Sequence, residues 1–171
     1  MADKLLIVVD FQNDFVSGAL GFSGAAELEN GICAKIKEYE GEDVIYTLDT
    51  HTEDYLLTQE GKNLPVVHCV KGTDGHELFG KVKQALDGKK FFEKNTFGSG
   101  ELYEYLKGKA YKSIELCGLV SNICVISNAV IAKTACPEAE ITVNPSLTAS
   151  FDAEMNNKAL DVMRGLQIKV I

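Results

Sequence analysis

Four groups of residues in this chain have types and spacings suited to chemistry. Asp10 closes the apolar run Leu5–Asp10 and opens Asp10-Phe11-Gln12-Asn13-Asp14-Phe15. A carboxylate at the end of a buried strand sits where burial and neighbouring charges retune its pKa, as a general acid or base requires. The alternative is a helix-capping or turn residue. Asp49-Thr50-His51 follows a second apolar run. Alternate residues of an extended chain share a face, so Asp49 and His51 can converge on one divalent ion. A carboxylate with an imidazole suits Zn, Mn or Fe. Glu60 and His68, in the segment that follows, can complete the set, unless the histidines are ordinary surface ones. Lys94 comes directly after Phe91-Phe92-Glu93. In a partly buried position its charge depresses the pKa of a thiol or pairs with a carboxylate; in a turn it is simply solvated. Cys124 lies in Gly118-Leu119-Val120-Ser121-Asn122-Ile123-Cys124-Val125. Ser121 or Asn122 can cap a helix that begins here, placing Cys124 in its first turn. There, free backbone N–H groups and the positive end of the helix dipole lower a thiol pKa, and they can hold an oxyanion.

These residues need elements to position them, and the hydrophobic pattern supplies alternating strands and helices. Strands are expected at 5–10, 43–49, 89–93, 113–119, 139–144 and 167–171. Helices are expected at 25–39, 76–86, 99–107, 121–135 and 152–165, with a looser stretch over 50–75. The first strand, 5–10, is a short apolar run without polar alternation, the pattern of a strand buried on both faces. Alternation of this kind predicts an α/β fold, a three-layer α/β/α sandwich around a mostly parallel six-stranded sheet. In open sheets of this class, sites form beyond the carboxyl ends of the strands. The four reactive groups follow the first four strands in order, so the topology delivers them to one edge.

Composition narrows the classes. The chain has 171 residues, 46% of them hydrophobic, with 17 basic and 25 acidic side chains and a net charge of −8. The apolar content excludes a disordered chain. The acidic balance argues against nucleic acid, which needs clustered Lys and Arg. Five cysteines, an odd number at irregular spacing, do not form a disulfide framework and suit a reducing compartment. Cys33, Cys69, Cys117 and Cys136 read as structural filler. No run of ~20 apolar residues spans a membrane, and the N-terminus lacks the long apolar region of a signal peptide. The expectation is a cytoplasmic protein with one domain over 1–171 and a substantial core.

The motifs around Asp10–Phe15, Asp49–His51, Lys94–Phe97 and Gly118–Val125 together resemble the isochorismatase-like cysteine hydrolases, most of all the nicotinamidase branch. The resemblance runs the length of the chain and implies a Rossmann-like isochorismatase fold. It implies a catalytic triad of Asp10, Lys94 and Cys124, and a non-proline cis peptide at Val120–Ser121 that aims N–H groups near Ser121 and Cys124 at an oxyanion. Phe15 and Phe97 match pocket positions of the family, where they can pack on a planar ring, although core positions suit them equally. The resemblance also implies a divalent metal held by Asp49, His51 and His68. Many members place another His six residues after the first, where this chain has Leu57; a subset uses a Glu nine residues on, which Glu60 matches. The implied reaction is hydrolysis of a small amide, nicotinamide first, within pyridine nucleotide salvage, by a homo-oligomer. Another amide, carbamoyl or ureido substrate, or a non-catalytic binding role, is the alternative. Isochorismatases proper generally lack the cysteine, and no Cys-x-x-Cys pair supports a redox role.

Overall fold

A computed structural model describes residues 2–171. Six strands form one sheet: β1 (Lys4–Val9), β2 (Asp43–Asp49), β3 (Lys90–Lys94), β4 (Ser113–Leu119), β5 (Glu140–Ala149) and β6 (Lys169–Val170). Seven helices are α1 (Asn13–Val16), α2 (Leu28–Glu38), α3 (Gln59–Asn63), α4 (Gly80–Ala85), α5 (Gly100–Leu106), α6 (Ile126–Ala135) and α7 (Ala153–Gly165). The strand order is β3-β2-β1-β4-β5-β6 and every pairing is parallel. The expected mostly parallel six-stranded sheet is therefore parallel throughout.

β1 is the central strand and its residues alternate between two cores. Leu5, Ile7 and Val9 pack with Leu102, Leu106, Ala129 and Met163 from α5, α6 and α7. Leu6 and Val8 pack with Ile32, Ile36 and Val82 from α2 and α4. Two apolar layers on opposite faces of one sheet explain why β1 reads as a continuous apolar run. From β1 the chain winds outward one way to β2 and β3, and the other way to β4, β5 and β6. The direction of winding reverses between β1 and β4, and ligands of open α/β sheets bind in the crevice outside such a switch point. Gly118 sits at this place with φ +109°, and a Cβ there would lie 2.0 Å from the carbonyl oxygen of Val9. Only glycine lets β4 pass so close to the end of β1.

Three expectations about the chain after β4 need correction. The non-proline cis peptide is Leu119–Val120, one bond earlier than Val120–Ser121. β4 stays paired with β5 through Leu119, and a helical turn already begins at Ser121, so the reversal falls before the single linking residue Val120. The helix is also not one piece. Ser121–Val125 forms a π-helical turn, with Val125 N–H donating to Val120 O at 3.1 Å, and α6 continues from Ile126. Neither Ser121 nor Asn122 caps it. Val120 occupies the capping position without a side-chain bond, and Ser121 Oγ donates instead to Asn156 Oδ1 of α7 at 2.6 Å. π-turns inside helices often mark functional sites.

The loose stretch over 50–75 is partly ordered by 3₁₀ turns at Tyr55–Leu57 and Asp74–His76 and by α3 between them. Among the described residues no helix is long and apolar enough to cross a membrane. The five cysteines are free thiols, and Cys69, Cys117 and Cys136 are buried in apolar surroundings.

Candidate active site and metal cluster

Asp10, Lys94 and Cys124 come from three different strand ends and meet below the surface, exposed by 0%, 6% and 5%. Asp10 is the first residue after β1 and takes φ +44°, a left-handed conformation that Asp tolerates better than most residues. That turn swings its carboxylate under the switch point. Thr47 Oγ1 of β2 donates to Asp10 Oδ1 at 2.7 Å. Lys94 Nζ lies 2.6 Å from Asp10 Oδ2, an ion pair without the alignment of a directed hydrogen bond. The same ammonium is 3.3 Å from Asp49 Oδ1, donates to Thr96 O at 3.1 Å, and stands 3.6 Å from Cys124 Sγ.

The electrostatics follow from burial. Desolvation holds the Asp10 carboxyl above its ordinary range, only partly offset by Lys94. Burial works against the Lys94 charge, but Asp10, Cys124 and Asp49 outweigh it and keep the lysine above its usual value. Burial, followed by the Asp10 charge, pushes the Cys124 thiol well up, and Lys94 restores only part. Burial thus favours the protonated Cys124 thiol over a resting thiolate, with the Asp10 carboxyl beside it. The expected signature is alkylation of Cys124 by iodoacetamide that accelerates about tenfold per pH unit from pH 7 to 9. Peptide-resolved mass spectrometry checks this; a rate already flat at pH 7 would show a resting thiolate.

The second cluster adjoins the first through Asp49. His51 continues β2 in extended form and is held by a parallel bridge to Val70, with His51 N–H donating to Cys69 O at 2.9 Å. That bridge sets His68 beside His51. Asp14 pins the same segment, its Oδ2 accepting from Cys69 N–H at 2.7 Å. His51 Nε2 lies 3.0 Å and His68 Nε2 3.3 Å from Asp49 Oδ2, and Glu60 Oε1 is 3.8 and 3.9 Å from the same two nitrogens. One ligand atom from each of Asp49, His51, Glu60 and His68 lies within 4.8 Å of the other three. His68 Nδ1 is engaged by Val66 O at 2.7 Å, which turns Nε2 inward, the usual outer support of a metal-binding histidine. Burial opposes ionisation of Asp49, yet the two histidines and Lys94 hold its carboxyl below the ordinary range. Two imidazoles and two carboxylates at this spacing fit a divalent transition ion. Leu57 is 76% exposed and has no part in the cluster.

A cavity of about 720 Å³ adjoins Glu60 and the turn that carries Cys124, lined chiefly by Phe15, Leu20, Leu64, Phe97, Val120, Ile123 and Phe151, with Glu60 and Thr96 also in its wall. Phe15 and Phe97 are both part of the cavity wall. Ser121 is fully buried, and Val120 forms part of the wall. Among the described residues no acceptor pairs with the N–H groups of Val120, Ser121 or Asn122.

Several supporting residues escaped the sequence reading. Thr47 holds Asp10, and its only signal was a polar residue inside an apolar strand. Gln12 is fully buried; its amide accepts from Asp49 N–H at 2.8 Å and donates to the carbonyls of Asp49 and His76. It lay inside a motif without an assigned role. Asn128, four residues after Cys124, donates to Cys124 O and Phe97 O and accepts from Ser99 N–H. Asn156 had no signal at all, because its contact with Ser121 joins segments far apart in the chain.

Comparison with known proteins gives the family and the fold. Residues 4–171 match the family model described as the isochorismatase domain. The isochorismatase family protein PncA of Bacillus subtilis is 29% identical over 92% of both chains. The crystal structure of nicotinamidase/pyrazinamidase PncA from Bacillus subtilis superposes with a TM-score of 0.87, at 27% identity over 99% of each chain. The pyrazinamidase of Pyrococcus horikoshii in complex with zinc gives a TM-score of 0.86 at 25% identity, covering 99% of this chain and 98% of that one.

Proposed function

The chain belongs to the isochorismatase family, and from that premise we propose that it is a cysteine-dependent amidohydrolase that converts nicotinamide and water to nicotinate and ammonia. The observation that carries this reading is the placement of Cys124 Sγ 3.6 Å from Lys94 Nζ, itself 2.6 Å from Asp10, beneath an apolar cavity lined by aromatic rings.

Asp10 accepts the thiol proton of Cys124, and Lys94 balances the thiolate that results. Sulfur adds to the carboxamide carbon, and the carbonyl oxygen becomes an oxyanion. The N–H groups at the start of the π-turn, near Ser121 and Cys124, stabilise it; one such donor typically contributes ~10²–10³ in rate. Asp10 returns its proton to the nitrogen, the C–N bond breaks, and ammonia leaves a thioester on Cys124. Asp10, again a carboxylate, takes a proton from water, whose oxygen attacks the thioester carbon. Nicotinate departs and the thiol is restored. Phe15 and Phe97 hold the ring plane. Asp49, His51, Glu60 and His68 would hold a divalent ion, which when bound supplies a Lewis-acid contact for the ring nitrogen. The zinc of the Pyrococcus horikoshii pyrazinamidase supports that assignment. The same family likeness carries the wider reading of a cytoplasmic homo-oligomer in pyridine nucleotide salvage.

Purified protein supplied with a divalent metal is expected to release ammonia from nicotinamide, measured by a coupled ammonia assay; no release from nicotinamide overturns the substrate. Glu60→Ala and His68→Ala are each expected to weaken metal retention by more than ~100-fold, because even outer supports of a ligand contribute ~10–100-fold. Metal content after dialysis, read by elemental analysis, checks this. Unchanged content in both variants overturns the four-ligand set.

A further inference from the structure

Phe97 lines the cavity from the segment that follows β3, and Cys124 belongs to the π-turn that follows β4. A single buried side chain hydrogen-bonds to both. Asn128 of α6 is fully buried. Its Nδ2 donates to Cys124 O at 2.8 Å and to Phe97 O at 3.1 Å, and its Oδ1 accepts from Ser99 N–H at 3.0 Å. A carboxamide has two N–H donors and one carbonyl oxygen, so these partners fix which way the group faces. The same segment is held nearer β3, where Lys94 Nζ donates to Thr96 O at 3.1 Å. At Gly98 a Cβ would lie 2.8 Å from Ile131 Cδ1, so the segment runs hard against the helix that carries Asn128. Phe97 is 44% exposed, so packing alone does not hold its ring, and its place depends on that backbone.

We propose that Asn128 is a positioning residue: its carboxamide braces the turn of Cys124 against the segment of Phe97, and so sets the sulfur beside Lys94 and the Phe97 ring in the cavity wall. The role rests on the nicotinamidase reading of Cys124 and Phe97. Its two halves can be separated. A threonine in a helix donates to the carbonyl four residues back. Two hydroxyls of α6 already do so, Ser127 Oγ to Ile123 O at 2.7 Å and Thr134 Oγ1 to Val130 O at 2.8 Å. A threonine side chain ends one atom short of a carboxamide and does not reach Phe97 O or Ser99 N–H. Asn128→Thr therefore keeps the half that holds Cys124 and loses the half that holds Phe97, whereas Asn128→Ala loses both.

Steady-state ammonia release from nicotinamide gives kcat and KM on the metal-loaded full chain for wild type, Asn128→Ala and Asn128→Thr. In Asn128→Ala kcat is expected to fall by ~10–100-fold, as misplacement of a reacting group by about 1 Å does. KM is expected to rise by ~2–10-fold, the worth of one aromatic contact. Asn128→Thr is expected to recover most of kcat and to leave KM raised. Alkylation of Cys124 by iodoacetamide at pH 8 reads the same placement without substrate. Its rate should fall several-fold in Asn128→Ala, where the sulfur stands less well beside the Lys94 charge that favours its thiolate, and recover in Asn128→Thr. Wild-type kcat, KM and alkylation in a folded Asn128→Ala overturn the brace. No recovery of kcat and alkylation in Asn128→Thr overturns the half that acts through Cys124, and a wild-type KM in that variant overturns the half that acts through Phe97. If Asn128→Ala does not fold, the KM of Asn128→Thr decides. A wild type that releases no ammonia overturns the nicotinamidase reading, and the alkylation rates then decide the brace by themselves.

Discussion

Replacing Cys124 by alanine is expected to reduce ammonia release from nicotinamide by ~10⁴–10⁶, to the level of the buffer reaction. Without Sγ no thioester forms, and no other thiol stands in for it. Cys33, Cys69, Cys117 and Cys136 all lie outside the cavity wall, and burial raises their pKa values as well. The cavity and the Asp49–His51–Glu60–His68 cluster are untouched by the substitution, so nicotinamide binding measured by calorimetry should survive. The side chain lost is small, and the stability change should stay near ~1 kcal/mol. This separation makes the variant decisive. Lost turnover with retained binding and folding assigns the chemistry to the sulfur; full turnover refutes the nucleophile.

Lys94→Met is expected to damage both catalysis and stability. The methionine keeps the length of the side chain and removes its charge, leaving Asp10 and Asp49 buried without their shared counter-ion. Removing one partner of a buried ion pair costs about 3–5 kcal/mol. The thiolate of Cys124 also loses its nearest cation, and kcat should fall by ~10²–10⁴. The stability loss has a defined pH dependence. Burial already holds the Asp10 carboxyl above its unfolded value, and loss of Lys94 raises it further. A carboxyl with a raised folded pKa favours the native state most below its unfolded value near ~3.9, and that contribution fades as pH rises through the folded value. The deficit of Lys94→Met relative to wild type should thus grow from pH 5 to pH 7, by at most ~1.4 kcal/mol per pH unit. Urea unfolding of both proteins at the two pH values checks this. A deficit that does not change with pH would mean that Asp10 and Lys94 are not coupled.

Both experiments probe the centre of the molecule, where the strand ends converge, and that convergence is legible in the amino-acid sequence. β1 carries an unbroken apolar run because it is covered on both faces, and a polar residue directly after such a run can only lie at the sheet edge. The position of Asp10, Asp49, Lys94 and Cys124 at one edge follows from parallel winding alone. The pairing of Asp49 with His51 followed from the two-residue period of an extended chain, and the bridge to Val70 maintains that period past the end of β2. The segment that carries Glu60 and His68 has no strong periodicity, so its course was not readable. Asp14 and the 68–70 backbone fix it through contacts across more than fifty residues of chain.

The turn that presents Cys124 divides the two kinds of information most clearly. The amino-acid sequence by itself determined that a strand ends and a helix begins between Gly118 and Val125, because local apolar pattern and residue type set element type. It also determined the odd thiol count, which argues against a disulfide framework. It did not determine which bond there is cis, that the first turn is π rather than α, or that Ser121 bonds to Asn156 instead of capping the helix. Those features depend on where β5 and α7 lie against the turn, and such packing is decided among residues distant in the chain. The same holds for the chemistry of the three central groups. Their identities are local facts, but their pKa directions arise from burial and from one another's charges at 2.6–3.6 Å, distances that exist only once three strand ends are brought together in the folded chain.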